Sequence, residues 1–149
     1  MKYIFVIIFM FLGYVLYAQK ANSVKTYDTL YIYFNHGKGQ EKFQEHIKSS
    51  DNKSNDAYYI YFNENKMNYI LLGHLIVDNP EVRHAKKSFL RKNKNKIIKA
   101  SKLREYDLKE ALSIIGSKIV YIIDEEDFHN GDILLREVRT GSSLNDFEM

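Results

Sequence analysis

The five-residue word YIYFN occurs twice, at 31–35 and at 59–63, and few features of a chain restrict its fold as sharply. β-Branched and aromatic side chains at this density favour extended backbone. Strand alternation then puts Tyr31 and Tyr33 on one face and Ile32 and Phe34 on the other. The second copy repeats this, with Tyr59 and Tyr61 against Ile60 and Phe62. Two copies are too few for a solenoid, so the reading is two strands of one antiparallel sheet with Ile32, Phe34, Ile60 and Phe62 turned to the core.

The first eighteen residues stand apart from this pattern. Lys2 gives a positive start, residues 3–17 are almost wholly apolar, and Ala18 is a small residue suited to cleavage. That is the anatomy of a secretory signal peptide. The run is shorter than the ~20 residues a spanning helix needs. Polar Gln19, Lys20, Asn22 and Ser23 follow at once. Residues 1–18 are therefore expected to be removed, leaving 19–149 in the periplasm or outside the cell with no stable transmembrane segment. A retained N-terminal inner-membrane anchor is the alternative, and Leu16 at the −3 position speaks for it. The chain has no cysteine, so lipidation of a cysteine, disulfides, thiolate metal sites and cysteine nucleophiles are all excluded. Heavy use of Lys, Asn, Ile and Tyr reflects AT-rich codons and, with the short leader, points to a bacterial source.

After the second YIYFN, residues 63–68 read as a turn and 69–77 as a returning strand, which together make a hairpin. Phe43 and Ile47 are spaced for one helical turn. Asn79-Pro80 resembles a helix start, and Val82, Ala85, Phe89 and Leu90 continue a helical stripe to about Lys92. Residues 97–98 are apolar but too short to assign. The clearest helix begins at Asp107. Glu110 completes a capping-box-like pair, Leu108, Ala111, Leu112 and Ile115 form the stripe, and Gly116 sits where a C′ glycine belongs. Residues 119–123 read as a buried strand, Asn130-Gly131 as a hairpin turn and 132–138 as its return. A polar tail starts at about 140. The fold class expected is α+β: a single small domain with a largely antiparallel sheet of about five strands and two helices packed on one face.

Charge is strongly segregated. Residues 83–104 contain ten Lys or Arg and no acid, whereas residues 105–149 contain eleven acids and four bases. Lys86, Lys87, Arg91, Lys92, Lys94 and Lys96 thus form a candidate basic patch for an anionic envelope component or an acidic protein. A solvated face that neutralises the acidic third is the competing reading. Nucleic acid is not an expected partner, because export removes the usual targets and Arg is scarce. Tyr31, Tyr33, Tyr59 and Tyr61 form a second candidate, an aromatic sheet face for a sugar or a partner. The competing reading there is cross-strand pairing within the sheet.

No metal site or cofactor is expected. Glu81/His84 and Glu126/His129 are Glu-x-x-His pairs, but no long-helix bundle exists to present them. The acidic run at 124–127 lacks EF-hand spacing. No nucleophile elbow, zincin motif or phosphate loop is present, and the glycines after His36 do not open a helix. His36 and His46 have many carboxylates within reach of the chain, yet no local spacing joins them. The sequence therefore favours a non-enzymatic exported binding module, with catalytic residues none. A small secreted hydrolase and an inhibitor or immunity-type protein are the alternatives. A histidine held against a carboxylate would favour the hydrolase, and an exposed basic face would favour anion binding.

Overall fold

The computed structural model describes residues 29–49, 56–74 and 82–143. The leader, the Asn79-Pro80 cap, Glu81 and the residues from 144 onward lie outside these. Eight strands form one sheet: β1 (Thr29–Phe34), β2 (Gln44–Ile47), β3 (Ala57–Tyr61), β4 (Tyr69–His74), β5 (Val82–Lys86), β6 (Ile97–Lys99), β7 (Ile119–Asp124) and β8 (Asp132–Ser142). The spatial order is β2-β3-β4-β8-β7-β1-β6, with β5 added beside β8, and the sheet curls into a half-barrel. Among the described residues three short helices accompany it: α1 (Ser88–Lys92), α2 (Ala100–Leu103) and α3 (Leu108–Ile115). No helix among the described residues is long and apolar enough to cross a membrane.

The sheet is larger than the five strands expected, and it is mixed. β1 lies parallel to β6 on one side and to β7 on the other, while the remaining pairs are antiparallel. The segment from β6 through α2 and α3 to β7 therefore crosses over β1, and a parallel unit of this kind must be covered on its faces. That explains why β1 is covered on both sides, with Leu30, Ile32 and Phe34 buried and Tyr31 and Tyr33 half-buried. Leu30, Ile32 and Phe34 join Ile60, Ile70, Leu72 and the inward residues of α2 and α3 in the main core. Tyr31 and Tyr33 join a second cluster with Tyr121, Ile123, Ile133 and Leu135, covered by Ala85 of β5 and by Phe89 and Leu90 of α1. Two helices pack on one face as expected, but the third lies on the other.

The two YIYFN copies are strands of one sheet, separated by β4, β8 and β7. Ile32, Phe34 and Ile60 are buried in the main core, and Phe62, one residue past β3, is only partly buried against it. Tyr61 is 7% exposed, more buried than its alternation predicts. Its ring stacks on Tyr59 and meets Tyr69 edge-on, and its hydroxyl donates to Glu45 Oε2 at 2.7 Å.

Three local expectations need correcting. Residues 82–86 form β5 rather than the first turns of a helix, because registry with β8 from Val82↔Arg136 to Lys86↔Asp132 outweighs a stripe equally readable as helix. Residues 44–47 form edge strand β2, paired with β3, instead of a helical turn. β8 runs through Ser142, past the expected start of the tail, because its C-terminal half pairs with β4. Ile97 and Ile98, left unassigned, are parallel strand β6.

Other signals match. Asp107 caps α3 by accepting from the Glu110 N–H at 2.7 Å. Gly116, however, is right-handed at φ −63° and its N–H bonds Leu112 O, so it extends the helix instead of breaking it. Asn130 and Gly131 have φ of 48° and 82°, as a primed hairpin turn requires, and His129 and Asp132 exchange backbone bonds across it.

Candidate functional site

The densest polar site lies at the carboxyl ends of β1 and β7. These strands run in register, with Phe34 opposite Asp124, so the chain leaving β1 carries His36 over the end of β7. Asp124 is the last residue of β7, and it caps the single 3-10 turn Glu125–Asp127 by accepting from the Glu126 N–H at 2.9 Å. The same oxygen, Oδ1, lies 2.8 Å from His36 Nε2. Strand β2 brings a second imidazole to the other oxygen, with His46 Nδ1 at 3.0 Å from Oδ2. That contact is close enough for an ion pair but lacks the alignment of a hydrogen bond. His46 sits opposite Tyr58 in the β2–β3 register and stacks on its ring at 4.1 Å.

A ring of further charges encloses this centre. Asp56, just before β3, places Oδ2 3.4 Å from His46 Nε2 and accepts the Ser49 N–H through Oδ1. Arg136 of β8 holds Asp127 at 2.9 Å and approaches Asp56 at 3.8 Å. On the solvent side, Glu126 lies with Oε1 3.5 Å from His36 Nδ1, and its Oε2 receives Lys48 Nζ at 2.8 Å.

The electrostatics follow from burial and partners. The Asp124 side chain is 0% exposed. Burial alone would raise its carboxyl, but His46, the Glu126 N–H and His36 together outweigh that and hold it at about 2. An ionised Asp124 can only accept, so His36 Nε2 carries the proton in their bond. Glu126 is lowered chiefly by its bond to Lys48, and the Lys48 ammonium is raised by the same bond. Burial pushes the Tyr58 phenol up.

The basic segment occupies a different layer. Lys86 ends β5 and Lys87 follows it, Arg91 and Lys92 end α1, and Lys94 and Lys96 lie in the turn before β6. All but Lys96 are exposed. Lys86 pairs with Asp132 at 2.6 Å, and Lys87 Nζ lies 5.7 Å from the centre of the Phe128 ring. Arg91, Lys92 and Lys94 make no ion pair among the described residues. Beneath them, Phe89 and Leu90 anchor the layer to the second core cluster.

The four tyrosines do not form one platform. Tyr31 and Tyr33 lie beneath the basic layer, against Phe89, Tyr121 and Phe128. Tyr59 and Tyr61 lie at the other end of the sheet with Tyr69. Among the described residues no three His, Asp or Glu side chains are arranged to hold a metal ion. His129 and His84 line a pocket of about 300 Å³ beside Asp127, and Glu126 instead belongs to the His36 site. A groove of about 610 Å³ runs between α3 and β8, and neither histidine of the cluster lines it.

Sequence reasoning named His36 and His46 but could not join them to Asp124, which is 88 positions from the first. The one usable signal was an acid placed directly after the apolar run 119–123, where a strand delivers its last side chain. No family model matches the chain, and neither the curated proteins nor the solved structures yield a match.

Proposed function

We propose that this chain is an exported α+β domain of the bacterial envelope, periplasmic or extracellular, that docks on an anionic surface through its β5–α1–β6 layer. One observation carries this reading. Lys87, Arg91, Lys92 and Lys94 are exposed on a single layer, and the acidic third of the chain meets that layer through the Lys86–Asp132 pair. Two neighbouring acids are engaged elsewhere, Asp127 on Arg136 and Glu126 on Lys48. The positive field therefore projects outward. Each such side chain contributes about 1 kcal/mol near an anionic bilayer.

Cosedimentation of residues 19–149 with phosphatidylglycerol-containing vesicles tests this. Binding is expected at low salt and should fall steeply as the screening length shrinks from ~30 Å at about 0.01 M to ~8 Å at about 0.15 M ionic strength. The triple change Arg91→Glu, Lys92→Glu, Lys94→Glu should abolish it while the urea midpoint barely moves, since exposed charges contribute little to stability. Weak, salt-independent sedimentation, or a variant that binds like the parent, would reject the reading.

A further inference from the structure

The docking layer leaves the histidine cluster without a role, and its geometry is more specific than a structural ion pair requires. We propose that His36 is the general base of a hydrolytic site, with Asp124 as its positioning residue and Lys48 as the cation that receives developing negative charge.

Four features of the geometry support this. Asp124 accepts the Nε2 proton at 2.8 Å, which fixes the tautomer and turns Nδ1 to the solvent side, 3.5 Å from Glu126 Oε1, as the basic atom of the neutral ring. The carboxylate doing this is wholly buried and held from three sides by the Glu126 N–H, His36 and His46, so the ring's direction is set by the scaffold. The outward side is open, with His36 37%, Glu126 46% and Lys48 63% exposed. The position, beyond the carboxyl ends of adjacent parallel strands, is where α/β sheets place ligands.

The chemistry assigned is hydrolysis of a carboxylic ester by water. A water hydrogen-bonded to Nδ1 gives its proton to the ring as its oxygen bonds to the ester carbonyl carbon. The carbonyl oxygen becomes an oxyanion beside the Lys48 ammonium. The C–O bond to the alcohol then breaks, and the imidazolium returns its proton to the departing oxygen. Ester and water become acid and alcohol, and the ring is restored. The charged groups facing His36 are Asp124 from β7, Glu126 from the 3-10 turn and Lys48 beyond β2, with His46 acting through Asp124.

p-Nitrophenyl acetate hydrolysis by residues 19–149 is the test. His36→Ala should lower kcat/KM by about 10²-fold or more. His129→Ala and His84→Ala, which alter exposed histidines outside the site, should leave the rate unchanged. Lys48→Ala, a change at an exposed side chain, should lower kcat several-fold with an unchanged melt, which keeps the test decisive if His36→Ala folds poorly. A parent no faster than buffer, or equal rates in the parent and both variants, would overturn the assignment.

Discussion

Asp124→Asn is expected to destabilise the domain by about 3–5 kcal/mol, the usual penalty for removing one partner from a buried charge cluster. The substitution keeps the shape of the side chain and its cap to the Glu126 N–H, but it removes the charge that His36 and His46 share. The effect must depend on pH in a defined direction. The folded-state carboxyl is depressed to about 2 from an ordinary value near 3.8. Its contribution is therefore fully present above the ordinary value and is lost as pH falls from about 4 toward 2. The gap between the urea melts of parent and variant should be widest at neutral pH and shrink by about 2 kcal/mol across that acid window, the equivalent of the carboxyl's shift. A constant gap across the window would remove Asp124 as the cause.

Phe34→Ala should cost about 3–5 kcal/mol, as for other buried phenylalanines. Phe34 is 1% exposed, packs edge-on to Tyr58 at 5.0 Å, and ends the strand that leads to His36. Phe62→Ala should cost clearly less, because Phe62 lies past the end of β3 and is only partly buried. Tyr33→Ala should also cost less, since Tyr33 is half-buried against Phe128. Urea melts of the three variants check the order. Equal losses at Phe34 and Phe62 would mean that the sheet's main face is misassigned.

Alternation made the strands legible, and capping made α3 legible, because both signals are local. The faces of β1 were half legible. Ile32 and Phe34 point inward as read, but period-two reasoning on an isolated strand assumes one wet face. It could not foresee that β1 lies between two parallel neighbours with a layer on each side. The helical stripe misled over 82–86 for a related reason, although its last residues, Phe89 and Leu90, are helical in α1. Val82 and Ala85 suit a helix and a strand equally, and only the distant partner strand β8 decides between them. The site was the least legible part. His36, His46 and Asp124 come from three strand ends, and nothing local in the chain records that these ends meet. The basic segment, by contrast, was visible at once, because ten like charges over residues 83–104 with no acid among them need no fold to be noticed.

β8 sits between the block β2-β3-β4 and the block β7-β1-β6, and it also carries β5 along the edge it shares with β4. It is also the last strand of the described chain. Until residues 132–142 are available, the two blocks have no strand to join them, and Arg136 is missing from beside Asp56 and Asp127. The sheet therefore cannot be completed progressively from the N-terminal side. Its closure waits on one late segment and on contacts distant in sequence, which makes folding slow and nearly all-or-none. A chain built this way stays open for most of its own synthesis.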